Sequence, residues 1–158
     1  MLRKARIFLR QPLWSQVWFI PTWLLLGMAK AAIFTVAFRH LAPRLGVAVG
    51  LSPWVPLLDP SQEARAMQIG RVVHLAARYT PWNSNCFPQA VVARLLLGLY
   101  GIPYILFLGV SRVPDTRGMT AHAWVAAGRV RVTGGAGFTQ FTTVSCFVSP
   151  LLADLCKA

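Results

Sequence analysis

The chain has 158 residues, 56% of them apolar and 13% charged, with three cysteines. This composition excludes a disordered or highly solvated protein and a small disulfide-built scaffold, and the length suits one domain with a sizeable core. Sixteen basic side chains against four acidic ones give a net charge of +12, which implies an anionic neighbour such as a membrane surface, a nucleic acid or an acidic peptide.

The charge is unevenly placed. No acid precedes Asp59, so Arg3, Lys4, Arg6, Arg10, Lys30, Arg39 and Arg44 stand unopposed in the first 58 residues. Downstream the arginines are scattered singly rather than gathered on a face with aromatics between them, which argues against nucleic-acid binding. From Gln11 to Ala29 no residue is charged, and the apolar run resumes after Lys30 as far as Phe38. Three readings fit this stretch. It forms two short helices packed on the domain, one before Pro21 and one from Thr22 to His40 with Thr22 as N-cap. Alternatively it touches or crosses a membrane with the basic end on the cytoplasmic side. The third reading is a cleaved signal ending near Ala29-Lys30-Ala31. Residues 41–60, with Pro43, Pro53, Pro56 and Pro60, read as a connecting segment.

Asp59-Pro60-Ser61-Gln62 predicts a helix start. Asp59 caps free backbone N–H groups, Pro60 loses no bond at the first helical position, and Gln62 reaches back. Ala66, Ile69, Val73 and Ala76 recur at helical spacing, so this helix runs to about Arg78. A polar, aromatic loop, residues 79–85, precedes a second helix that begins at or just after Cys86 and carries a wide apolar face of Val91, Val92, Leu95, Leu96 and Leu99. Residues 102–110 read as a buried strand and residues 111–118, holding Asp115, as a loop. Residues 120–133 read as a hairpin turning at Ala127-Gly128, and a further strand falls between Phe138 and Val148. Helices first and antiparallel strands after them make an α+β domain.

Among the candidate reactive groups, Cys86 stands apart. A helix N-terminus favours a thiolate, and Asn83, Ser84 and Asn85 beside it are small polar groups able to donate to a developing oxyanion; Ser84 and Asn85 are the nearest. Cys146 lies in a strand pattern and reads as packing, and Cys156 is near the C-terminus with no role. His40 is placed at the end of the second N-terminal helix, where a cation suits the dipole, and His74 sits mid-helix as a structural residue. His122 differs: it lies in a strand just after a loop, with small Ala121 and Ala123 around it and Trp124 as a wall. No CxxC, HxH or HExxH pair organises a metal, and Gly134-Gly135-Ala136-Gly137 lacks the residues of a phosphate loop, so no cofactor is expected. Cys86 followed by His122 is the order in which a helix-start thiol attacks an acyl carbon and a strand imidazole takes its proton.

The segments Pro81-Trp-Asn-Ser-Asn-Cys-Phe-Pro-Gln-Ala90, Gly101-Ile-Pro-Tyr-Ile-Leu-Phe-Leu-Gly-Val110 and Ala121-His-Ala-Trp-Val125 together resemble the lasso-peptide biosynthesis B-type proteins, which are transglutaminase-like cysteine leader peptidases. The resemblance extends to the leucine- and aromatic-rich N-terminal helices and so to nearly the whole chain. It implies a transglutaminase/papain-like peptidase fold, with N-terminal helices ahead of a catalytic helix and an antiparallel sheet. Residues 1–58 would then form a basic, apolar helical part that packs on the domain or touches membrane, and residues 59–158 the peptidase core. It further implies a cytoplasmic enzyme, with possible peripheral membrane contact, that cleaves the leader from a ribosomally made precursor peptide before macrolactam formation. Its partners would be a separate leader-recognition protein and an ATP-dependent lasso cyclase. Carried over to this chain, Cys86 is the nucleophile and His122 the general base. Members of the family often have an Asp on the strand after the histidine hairpin, and here that stretch reads Arg129-Val-Arg-Val-Thr-Gly-Gly135 without an acid. The third, orienting member is therefore unassigned; a backbone carbonyl, Thr133 and Gln140 are the groups at hand. A different class of function, a non-catalytic membrane-associated assembly protein, is motivated by the basic, apolar N-terminus.

Overall fold

The computed structural model describes residues 11–51, 55–112, 118–135 and 137–155. Asp115, Cys156 and the four basic residues ahead of Gln11 lie outside the described residues. Helices α1 (Leu13–Thr35) and α2 (Phe38–Leu45), strand β1 (Val47–Gly50) and helices α3 (Pro60–Ala77) and α4 (Cys86–Leu99) come first. Then follow β2 (Ile105–Arg112), β3 (Met119–Ala127), β4 (Val130–Thr133), the short helix α5 (Gly137–Gln140), β5 (Thr142–Val148) and α6 (Pro150–Leu155). The five strands make one antiparallel sheet in the order β1-β5-β2-β3-β4, with α3 and α4 packed against β3 and β4, so the architecture is the expected α+β.

Three expectations for the N-terminal part are corrected. The chain does not break at Pro21: α1 runs through it as a single helix. Its buried residues Ser15, Thr22, Leu26 and Ala29 form one helical stripe on both sides of the proline, and docking of that stripe on α3 and α4 outweighs the lost hydrogen bond. Thr22 is consequently a buried mid-helix residue and not an N-cap. His40 lies near the start of α2, with its backbone N–H bonded to the Ala37 carbonyl, so the C-terminal dipole argument does not apply to it. The third correction concerns the connecting segment, which supplies β1: Val47 and Ala48 pair with Val148 and Phe147 of β5. Tyr104 fixes this corner, its buried hydroxyl donating to the Leu45 carbonyl at 3.1 Å.

The helix starting at Asp59 has the expected chemistry. Asp59 Oδ1 accepts from the backbone N–H groups of Ser61 (2.8 Å) and Gln62 (2.9 Å), while Gln62 Oε1 accepts from the Asp59 N–H (3.2 Å). The core lies between the helices and one sheet face, built from Ile69, Val72, Val73 and Ala76 of α3, Val92, Leu96 and Leu97 of α4, and Leu106, Ala123, Val125 and Val132 of the sheet. On the opposite face Ile105, Cys146 and Val148 are covered by Leu152 and Ala153 of α6, an element the sequence pattern does not announce. Burial raises the Cys146 thiol above its ordinary pKa, as a packing cysteine requires.

The α3 cap yields a pH-linked prediction. The Ser61 hydroxyl, followed by the Gln62 and Ser61 N–H groups, holds the Asp59 carboxyl below its usual range. A carboxyl depressed in the folded state contributes stability above its unfolded pKa and loses it as the pH falls through the folded value. Asp59→Ala should therefore lower Tm at pH 7, Asp59→Asn should lower it less because asparagine also caps, and the gap between wild type and Asp59→Ala should narrow below about pH 4 in thermal melts.

Candidate active site

Residues 78–85 turn the chain from α3 into α4, and one hydroxyl organises the turn. Thr80 Oγ1 lies 2.9 Å from both the Ala77 and the Trp82 carbonyls and 3.0 Å from Ser84 Oγ. Its single proton serves the carbonyls, so the Ser84 hydroxyl is the donor to Thr80. Gln89, one turn into α4, reaches back with Nε2 to the Ser84 carbonyl at 2.7 Å. From the other side α1 buttresses the loop: the Trp23 indole N–H donates to the Tyr79 carbonyl at 3.1 Å, and the Trp23 and Trp82 rings lie 4.9 Å apart.

The loop delivers Cys86 as the first residue of α4, half-buried. Asn85 holds the N-cap position with extended backbone, yet its exposed side chain makes no cap bond. Pro88 has no N–H to offer. Among the described residues the helix start therefore presents the N–H groups of Cys86 and Phe87 without a side-chain capping acceptor, and the positive end of the helix dipole lies at Cys86. Of the two side chains expected to donate to an oxyanion, Ser84 is buried and occupied with Thr80, and Asn85 points to solvent at the helix mouth. The backbone N–H of Cys86 itself is a donor that needs no side chain.

α4 packs against β3 and β4, and within the sheet β2 pairs with β3 so that Gly109 lies opposite His122. Ala123 and Val125 enter the helix-side core, and side chains alternate along a strand, so His122 and Trp124 project from the other face. There His122 stacks on Phe141 at 4.7 Å and on Trp124 at 5.9 Å, and Trp124 stacks on Phe107 at 5.5 Å. β4 pairs with β3 only from Val125 onward, which leaves His122 at an open edge of the sheet. Among the described residues no hydrogen bond joins Cys86 to His122, and the ring projects from the sheet face opposite the one that α4 covers.

The imidazole has a fixed partner. His122 Nε2 lies 3.3 Å from the carbonyl of Gly134, which can only accept, so Nε2 carries the proton and Nδ1 keeps the lone pair in the neutral ring. Of the orienting groups at hand, the ring thus uses a backbone carbonyl. Thr133 Oγ1 is buried without a hydrogen-bond partner, Gln140 is exposed, and Asp154 is exposed on α6. Two glycines make this arrangement possible. Gly134 has φ +65, and a Cβ there would come within 2.6 Å of the Ala123 carbonyl oxygen and 3.0 Å of His122 Nε2. At Gly109 a Cβ would meet the Trp124 indole at 2.6 Å, so the missing side chain is what lets the indole lie across β2.

Thr80, Gln89, Gly109, Gly134 and Phe141 escaped the reading of the sequence. Gln89, four positions after an N-cap, is the one with a usable local signal; Gly134 is legible only as part of a turn, and Phe141 reaches the ring through a crossover between β4 and β5. A cavity of about 530 Å³ lined by His74, Ala77, Arg78, Ser84 and Gln89 opens beside the Cys86 loop. Enclosure of the His74 ring, then the Arg78 charge, hold that imidazole below the usual histidine range against an opposing hydrogen bond from Gln89.

Comparison with protein families matches residues 31–146 to the transglutaminase-like superfamily. No curated protein and no solved structure matches the chain.

The Gly134 carbonyl gives a structural test. Gly134→Ala forces a side chain into a left-handed position and against the imidazole, and should destabilise the fold by about 1–3 kcal/mol in urea unfolding. Nitrogen NMR of the histidines should show His122 protonated on Nε2 in the wild type and a changed tautomer balance in the variant. Thr80→Val, which removes the loop's central hydroxyl and leaves the Ser84 donor unpaired, should cost about 1–3 kcal/mol in the same assay.

Proposed function

The chain belongs to the transglutaminase-like superfamily, which includes cysteine peptidases, and from that membership we propose that it is a cysteine peptidase removing the leader from a ribosomally synthesised lasso-peptide precursor before macrolactam formation. The observation that supports this reading best is a half-buried cysteine at a helix start without a side-chain cap, on the helix that packs against the strand carrying a histidine of assigned tautomer. In the proposed reaction His122 Nδ1 takes the Cys86 proton and the thiolate attacks the acyl carbon of the scissile bond, with the oxyanion meeting the Cys86 N–H. The imidazolium then returns its proton to the leaving amine, which departs with the peptide on its side of the cleavage. Water, deprotonated by the same ring, hydrolyses the thioester to a carboxylic acid and restores the thiol. In the structure the ring projects from the sheet face away from α4, so this reaction requires the His122 side chain to be brought round to the thiol.

A cytoplasmic setting, a separate leader-recognition protein and an ATP-dependent lasso cyclase complete the proposal, with residues 59–158 as the peptidase core. The outer face of α1, apolar and uncovered, favours a second reading as a membrane-associated assembly protein without catalysis.

The test is leader removal from the precursor, in the presence of the recognition protein, followed by mass spectrometry. Wild type should release the leader, and Cys86→Ala and His122→Ala, each checked for folding by circular dichroism, should lower the rate by at least about three orders of magnitude. Cleavage at an undiminished rate in folded Cys86→Ala would overturn the assignment.

A further inference from the structure

α1 is predominantly apolar but covered on only one side. Ser15, Thr22, Leu26 and Ala29 face α3 and α4, while Leu13, Val17, Ile20, Leu24, Met28 and Phe34 keep between 53% and 79% of their surface exposed. These six recur at intervals of three, four and six residues, so they form a single stripe along one side of the helix, roughly 31 Å long at 1.5 Å per residue. Helices that are apolar on every side are ordinarily buried, and a row of exposed large side chains on this scale marks a contact surface. By length and composition α1 could cross a membrane, with a mean hydropathy of 1.6 over its most apolar window. Its packing says otherwise. Trp14 Nε1 donates to the Tyr100 hydroxyl at 2.8 Å, Trp23 Nε1 to the Tyr79 carbonyl, and polar Ser15 and Thr22 are buried against protein, so one face is committed to the domain along most of the helix.

We propose that α1 docks the protein peripherally on an anionic lipid bilayer, lying in the plane of the interface with the Leu13–Phe34 stripe inserted among the acyl chains. Charge complementarity selects this occupant. The first 58 residues carry seven basic side chains and no acid, four of the seven preceding Gln11 in the sequence. At its other end Lys30 Nζ lies 4.8 Å over the Phe34 ring, with its stem along the apolar side chain, and Arg39 and Arg44 are exposed on α2. An apolar stripe flanked by basic residues is the pattern of interfacial helices, whose apolar face sinks about 5–10 Å into the headgroup boundary. The exposed side of a lone helix is convex, which suits a fluid surface that moulds to it. The family match begins at residue 31, so most of this stripe lies outside the superfamily region. Because α1 also buttresses residues 79–85 through Trp23, docking would place the Cys86 loop next to the membrane.

The proposal is independent of the catalytic reading, and its test does not measure cleavage. Full-length protein is floated with vesicles of phosphatidylcholine alone and of phosphatidylcholine with phosphatidylglycerol, at low and high salt. Wild type and Cys86→Ala should both float with the anionic vesicles, less so with the neutral ones and less so in high salt. Leu24→Gln/Met28→Gln, which alters only exposed positions, should keep the wild-type circular dichroism and Tm and lower vesicle partitioning at least about tenfold. Wild type that stays in the soluble fraction overturns the proposal. So does a double variant that floats as well as wild type. If the protein ignores vesicles but self-associates in light scattering, and the double variant is monomeric, the stripe is instead an interface between two copies and the membrane proposal falls.

Discussion

The arrangement around Cys86 depends on the way residues 78–85 reverse the chain without consuming the helix start they deliver. A short turn between two packed helices has several backbone groups to satisfy, and the usual solution uses a side chain at the N-cap of the second helix. Here Thr80 and Gln89 satisfy the turn from within, through the Ala77, Trp82 and Ser84 carbonyls, and Asn85 leaves the cap position open. Capping by Asn85 would stabilise α4 but would occupy the backbone N–H groups beside Cys86. The helix gives up some stability at its first turn and regains it in the apolar face of Val92, Leu96 and Leu97. Placing Cys86 at an uncapped start is therefore a local weakness supported by tertiary packing, which is where strained functional positions are commonly found.

The histidine side follows a related logic. A ring at an open sheet edge has many orientations unless it is stacked and hydrogen-bonded. Phe141 and Trp124 restrict its tilt, and the Gly134 carbonyl fixes which nitrogen bears hydrogen. A carbonyl orients an imidazole as an aspartate would, but supplies only a dipole where the aspartate supplies a full charge. The absence of an acid in residues 129–135 thus changes the electrostatics of the ring without removing its orientation.

Much of this was legible from the residues alone, and the failures have physical causes. Asp59-Pro60-Ser61-Gln62 announced a capped helix because capping is a local interaction whose partners lie within four residues. Cys86 at the head of α4 was legible for the same reason, and so was the β3–β4 hairpin turning at Gly128. Pro21 misled because its local penalty is visible in sequence, whereas the buried stripe that overrides it depends on α3 and α4, some forty and more residues away. β1 was hidden because Val47–Gly50 is too short to show an alternating pattern and becomes a strand only by pairing with β5. Phe141 reaches His122 through the crossover from β4 to β5, which no spacing rule connects to residue 122, and Gly134 reaches it because the β3–β4 hairpin folds the end of β4 back beside the ring. The orientation of His122 relative to Cys86 belongs to the same class: chain order suggested a pair, while the side of the strand from which the ring projects follows from registers that only the assembled sheet fixes.

α1 links the two halves of the molecule because it meets two different demands with opposite faces. Its inner face must complement α3, α4 and the site loop, which explains buried Ser15 and Thr22 and the indole N–H of Trp23 directed at a backbone carbonyl. An outer face shaped only for water would be polar at Val17, Leu24 and Met28, since more than half of each of these side chains is exposed. A helix whose inner face alone mattered would not need the outer one to be apolar over its whole length. The persistence of large aliphatic side chains along that outer face, next to a basic and acid-free sequence, is therefore a constraint of its own. It acts on the same rigid element that buttresses the Cys86 loop through Trp23, so whatever α1 rests upon also bears on how that loop is held.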